Sequence, residues 1–194
     1  MKIGILGGTF NPPHNCHKNL ILNLLDKKLV DKVIILATNN KYNKREIINL
    51  KDRINMLQLT MKDKRIIVEN EDICKKFNYT IDALEYYQNK FKDDEIIFIM
   101  GSDNLKDLKN WRRYVDLIKN FQFIVTLRNN DNIEELVEIA KDAKIEYVTS
   151  VGELSSTFIR NEIRKNNDVE KYLDDRVIKY IEDNNLYKQG EKWK

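Results

Sequence analysis

Lys2-Ile3-Gly4-Ile5-Leu6-Gly7-Gly8-Thr9-Phe10-Asn11-Pro12-Pro13-His14-Asn15-Cys16-His17 decides how the rest of the chain is read. It opens as a short apolar strand, Lys2–Leu6, and crosses a loop of glycine and proline. It then enters a helix over Asn15–Leu25, with Leu20, Ile21, Leu24 and Leu25 on one face. The 194-residue chain has two prolines and two histidines, and all four lie in this loop with two of its six glycines. Gly7 and Gly8 admit unusual dihedrals and let backbone N–H groups approach a ligand. Thr9 adds a hydroxyl, and Pro12 and Pro13 stiffen the turn. His14 and His17 share one face of a helix start, where free N–H groups and the helix dipole attract anions. A proline-stiffened turn with two surface histidines is the bland alternative; the concentration of scarce residues weighs against it. Zinc held by His14, Cys16, His17 and Cys74 lacks a catalytic ligand spacing. Neither GxxxxGK[ST] nor GxGxxG occurs, which argues against a P-loop kinase and a dinucleotide dehydrogenase.

Working outward, apolar runs alternate with helical periodicity. Strands are predicted at Val33–Ala37, Arg65–Val68, Glu95–Met100, Phe121–Leu127 and Ile145–Val148. Helices are predicted at Asp52–Met61, Thr80–Phe91, Val115–Lys119, Ile133–Lys141, Ser155–Lys165 and Asp175–Asn184. Near-continuous apolar strands separated by helices give an α/β fold: a doubly wound, mostly parallel sheet with helices on both faces. A single domain is expected over residues 1–187, with a frayed tail at 188–194. The polar stretch Asn39–Asn49 reads as a mobile loop.

Bulk properties narrow the function classes. Hydrophobic residues make up 42% and charged residues 34%, which suits a folded globular chain. A net charge of +3, without a basic block, suits anionic small molecules and gives no sign of nucleic-acid binding. No apolar run reaches transmembrane length, and two cysteines outside any CxxC pattern suggest a reducing, cytoplasmic setting.

Two distal segments share a position with the first loop, each between a strand end and a helix. Leu154-Ser155-Ser156-Thr157-Phe158-Ile159-Arg160 combines helix-capping hydroxyls with a guanidinium one turn in, a second phosphate site. Met100-Gly101-Ser102-Asp103 ends the strongest strand with a carboxylate of the kind that binds ribose. Trp111 follows as a stacking platform or a core residue. In a doubly wound sheet these strand ends line one crevice.

Together GGTFNPPHNCH, the GSD…W segment and LSSTFIR resemble the bacterial nicotinate-nucleotide adenylyltransferases, of the nucleotidyltransferase superfamily with the HxGH motif. Tyr79-Thr80-Ile81-Asp82-Ala83-Leu84 is similar to that family's YTxDTL segment. Arg176–Ile181 and Leu186-Tyr187 resemble its C-terminal helix ending. The resemblance implies a Rossmann-like nucleotidyltransferase fold and transfer of AMP from ATP to nicotinate mononucleotide in NAD biosynthesis. The products would be a dinucleotide, deamido-NAD, and pyrophosphate. It implies that His14 and His17 are catalytic and contact ATP phosphates. Gly8, Thr9 and Phe10 would line that site, Ser156, Thr157 and Arg160 would hold the triphosphate, and Asp103 would bind ribose. Thr80, Gly101 and Trp111 would border the acceptor's pyridine ring, and Lys44 would meet the acceptor phosphate. Mg²⁺ would arrive with ATP, with no metal bound tightly by protein ligands. Neither nucleic acid nor membrane is an expected partner, and a homo-oligomer is compatible. Cys16 stands where the family has glycine, which predicts crowding of the ATP site or a small shift. Asn39-Lys41-Tyr42-Asn43-Lys44 replaces the family's Pro-Pro-His-Lys loop, and Ala83 replaces threonine. The alternatives are transfer from ATP or CTP to another phosphorylated metabolite, and a degenerate nucleotide-binding regulator.

Overall fold

The computed structural model describes residues 1–39, 47–150, 152 and 154–188. Among them the order is β1 (Lys2–Gly8), α1 (Asn15–Asp26), β2 (Lys32–Ala37), α2 (Leu50–Thr60), β3 (Ile66–Val68) and α3 (Glu71–Lys76). There follow α4 (Thr80–Lys90), β4 (Glu95–Gly101), α5 (Ser102–Asp107), α6 (Tyr114–Asn120) and β5 (Gln122–Leu127). The chain ends with α7 (Ile133–Ile139), β6 (Lys144–Thr149), α8 (Ser156–Arg164) and α9 (Asp175–Asp183).

The six strands form one parallel sheet in the order β3-β2-β1-β4-β5-β6. The chain runs outward from β1 to β3, then returns to place β4 beside β1. Loops leaving β1 and β4 therefore diverge, opening a crevice at the carboxyl edge of the sheet. The central strands are buried on both faces, from Ile3, Ile5 and Leu6 through Val33–Ala37, Ile96–Met100 and Phe123–Val125. That double burial is why they read as unbroken apolar runs.

A second apolar cluster fastens the C-terminal helices. Ile48 and Met56 meet Ile159, Val169, Leu173, Val177, Ile181, Leu186 and Tyr187. Each such side chain removed from water contributes about 1.5–3 kcal/mol, so α9 and residues 186–187 are held firmly. The expected tail largely falls at residues 189–194, outside the described residues.

The predicted elements are present with shifted ends. α2 starts two residues early because the Asn49 side chain accepts from the Asp52 N–H at 2.9 Å. The sequence reading passed over two short helices, α3 and α5, and a 3-10 turn at Leu108–Asn110. α3 is capped by Asn70, whose side chain accepts from the Ile73 N–H. α5 follows β4 directly, with Gly101 at the cap position. Six residues show too few turns for an apolar stripe to register. Among the described residues no helix is long and apolar enough to cross a membrane.

Candidate functional site

The loop after β1 departs from expectation in one respect. Its strained dihedral falls on Phe10, at φ 47°, and not on a glycine. Gly7 and Gly8 remain in the strand. What Gly8 supplies is room: a Cβ there would lie 2.9 Å from the Phe10 ring. That ring is buried and meets His17 edge-on, with centroids 5.1 Å apart.

His14 is the N-cap of α1, and His17 lies one turn in. Their rings stack at 3.7 Å and 24°. The His14 backbone N–H donates to His17 Nδ1 at 3.2 Å. An accepting Nδ1 leaves the proton of neutral His17 on Nε2, so the tautomer is fixed by the helix start. Burial pulls the His14 pKa from 6.5 to about 4. Burial, then the neighbouring His14, pulls His17 well below its ordinary value. Both imidazoles are therefore neutral donors near pH 7 in the ligand-free protein.

This has a consequence for stability. The unfolded chain takes up the His14 proton near pH 6.5 and the native state only near 4, so this stability is full above 6.5 and is lost as pH falls towards 4; His17 contributes in the same direction. For His14 alone the loss is about 3 kcal/mol. The melting temperature is expected to fall between pH 6.5 and about 5, above the usual carboxylate range. The double variant His14→Asn/His17→Asn should show a flatter profile in that window. Parallel profiles for the two proteins would refute the assignment.

The facing wall is α8. Ser155 caps it by accepting from the Phe158 N–H at 3.1 Å. Ser156 donates to the Pro12 carbonyl at 2.9 Å. Arg160, 9% exposed, donates through Nη1 to the Asn11 carbonyl at 2.9 Å and through Nη2 to Thr157 Oγ1 at 3.2 Å. The buried Asn11 side chain in turn accepts from the Tyr187 hydroxyl at 2.9 Å and from the Ile48 N–H at 3.4 Å. The first loop is thus tied to the last helices.

Between these walls lies a cavity of about 300 Å³, lined among the described residues by Thr9, Asn11, His14, His17, Ile47, Arg128, Leu154, Ser155, Ser156, Thr157 and Arg160. Two guanidiniums, two imidazoles and several hydroxyls face it, and among the described residues none that lines it is acidic. That composition suits a multiply charged anion. Cys16 is not among the lining residues. Its sulfur would stand 3.1 Å from a Cβ on Gly152, whose φ of +95° also favours glycine. The side chain that replaces glycine in the first motif is accommodated by a glycine in the β6–α8 loop.

At the end of β4, Asp103 is exposed and ion-paired with Arg128, which joins it to the cavity wall. Gly101 keeps open space beside Thr126: a Cβ would only reach ordinary contact with Oγ1, at 3.8 Å. Trp111 is half-buried, its ring edge-on to Phe98 at 5.9 Å. Thr80 begins α4. Arg112 lies over the Tyr79 ring at 4.7 Å, and Arg113 forms two bonds to Glu85, at 2.8 and 2.9 Å. These contacts bring the start of α4 beside the Trp111 segment. Lys44 lies outside the described residues. Among the described residues no group of three His, Cys, Asp or Glu could hold a metal ion.

Sequence reasoning missed Asn11, Arg128, Tyr187 and, above all, Arg53. Arg53 is fully buried on α2 and donates to three carbonyls: Thr9 at 2.8 Å, Thr38 at 2.8 Å and Ile48 at 3.2 Å. Burial lowers its pKa to about 10, so it stays charged at neutral pH. The available signal was an arginine sharing the helical face of Leu50, Ile54 and Leu57.

Comparison with known proteins agrees with this geometry. The cytidylyltransferase-like family model matches residues 5–162. The probable nicotinate-nucleotide adenylyltransferase of Flavobacterium johnsoniae is 33% identical, over 97% of this chain and 100% of that protein. The protein of the same name from Clostridium acetobutylicum is 30% identical, over 96% and 98%. A solved Plasmodium falciparum nicotinic acid mononucleotide adenylyltransferase, complexed with NaAD, superposes with a TM-score of 0.82 at 22% identity, covering 96% of this chain and 97% of that one. At that identity the likeness speaks for the fold.

Proposed function

The chain belongs to the nicotinate-nucleotide adenylyltransferase family of cytidylyltransferase-like proteins, and we propose that the cavity between the β1 loop and α8 is where it joins the AMP unit of ATP to nicotinate mononucleotide in NAD biosynthesis. The observation that carries the site assignment is the stacked His14/His17 pair facing Arg160 and the α8 hydroxyls across one cavity.

The triphosphate lies in that cavity, with His14, His17, Ser156, Thr157 and Arg160 around it and Gly8, Thr9 and Phe10 beneath. Asp103 takes the ribose hydroxyls, exchanging its bond to Arg128 for them. The pyridine ring sits by Thr80, Gly101 and Trp111, and Lys44 meets the acceptor phosphate. The catalytic unit runs to Tyr187, whose hydroxyl reaches Asn11. Mg²⁺ enters as part of the ATP substrate.

The acceptor's phosphate oxygen attacks the α-phosphorus of ATP in line. A new P–O bond forms, the bond to the β-phosphate bridging oxygen breaks, and pyrophosphate leaves with that electron pair. The nucleophile is already an anion, so no base is required. Positioning and stabilisation of charge on the phosphoryl oxygens carry the catalysis.

A pyrophosphate-release assay tests the reading, pairing ATP or CTP with nicotinate mononucleotide, nicotinamide mononucleotide or phosphopantetheine. Turnover should be highest with ATP and nicotinate mononucleotide. ATP binding without turnover on any acceptor would refute it. Within the same assay, Trp111→Ala is expected to raise the acceptor KM about tenfold, since stacking on an aromatic ring contributes roughly 1–1.5 kcal/mol. A change confined to the ATP KM would mean that Trp111 was misplaced.

A further inference from the structure

We propose that Arg53 is a positioning residue for the phosphate-binding loop, acting from behind it without touching substrate; the proposal rests on the activity assigned above. Leu50, Ile54 and Leu57 share its helix face, and each is buried in the core. A guanidinium removed from water is expensive, and an apolar side chain of similar volume would fill the same space at lower cost. The distinctive thing Arg53 does is geometric. Its three bonded carbonyls belong to segments that are separate in sequence: Thr9 after β1, Thr38 after β2, and Ile48 at the entry to α2.

Two further bonds complete the frame, one to a backbone carbonyl and one to a side-chain oxygen. The Thr38 N–H donates to the Gly8 carbonyl at 2.8 Å, and the Ile48 N–H donates to Asn11 Oδ1 at 3.4 Å. Arg53 therefore closes a ring of contacts that holds Thr9–Asn11 against the sheet edge. His14 and His17 follow three and six residues after that anchored stretch, and Thr9 and Asn11 are themselves cavity walls. The planar fork reaches two carbonyls at 2.8 Å at once, and an ammonium cannot reproduce that geometry. The loop carries the strained Phe10 dihedral at φ 47°, a conformation that surrounding contacts must hold in place.

The test compares wild type, Arg53→Lys and Arg53→Met, each checked by thermal melting and assayed at a temperature where all three are fully folded. Arg53→Met is expected to lose at least thirtyfold in kcat and to raise the ATP KM about fivefold. Arg53→Lys should lie between, because it keeps the charge without the fork. A purely structural role would lower the melting temperature and leave both constants of the folded protein unchanged. Folded variants with kcat and KM within about twofold of wild type would overturn the proposal. Should Arg53→Met not melt cooperatively, Arg53→Lys decides alone. The wild-type control separates the two readings. An inactive wild type removes the activity assignment, whereas an active wild type with equally active variants removes only the role of Arg53.

Discussion

Replacing His17 with alanine is expected to lower kcat about a hundredfold while the protein still folds, the usual cost of removing one donor aimed at developing charge. The His14 N–H occupies Nδ1 of His17, so Nε2 carries the proton and is the donor left for a ligand. Burial and His14 hold the ring neutral, which makes it ready to strengthen its bond as negative charge gathers on the phosphoryl oxygens. The effect should fall mainly on kcat, because that charge is greatest in the transition state. The loss of ring stacking at 3.7 Å and of one capping bond lowers stability modestly. Steady-state kinetics beside a thermal melt distinguishes the two. Near-normal turnover in a folded variant would remove His17 from the chemistry.

Much of this site was legible because its residues are unusual locally. Two histidines and two prolines in one loop need no tertiary information to stand out. Ser155, Ser156, Thr157 and Arg160 were legible for another reason: capping and one-turn spacing are local physics. The sheet was legible because strands buried on both faces carry no polar interruptions. What escaped was set by contacts between distant segments. Arg53 looks like one more charged residue in a chain with 34% of them, until its helix face proves to be buried. Tyr187 matters through Asn11, across 176 residues of separation. The ion pair between Asp103 and Arg128 depends on β4 and β5 being neighbours. The surroundings of Cys16 were likewise set at a distance: within its motif it predicts crowding of the nucleotide or a small shift, and only the fold sets its sulfur against the glycine at position 152.

Arg160→Met is expected to reduce kcat/KM for ATP by about a thousandfold, since truncating one partner of a buried charged contact costs about 2–5 kcal/mol. Two effects combine in that number. Among the described residues that line the cavity the guanidinium is the most buried cation, so its attraction for phosphate is weakly screened by solvent. It also holds the Asn11 carbonyl at 2.9 Å and Thr157 Oγ1 at 3.2 Å, and so keeps the two walls in register. Arg160→Lys should recover part of the loss, because an ammonium keeps the charge and cannot make both bonds in the same geometry. ATP binding by calorimetry and steady-state kinetics, each beside a melt, would measure these effects, and a loss below about threefold would remove Arg160 from the phosphate site. Tyr187→Phe separates the two contributions. Its hydroxyl secures the same Asn11 through the side-chain oxygen, yet Tyr187 does not line the cavity. If Arg160 acts on phosphate directly, Tyr187→Phe should cost no more than about tenfold, the worth of one buried hydrogen bond. Equal losses in the two variants would mean that Arg160 works only by holding the loop.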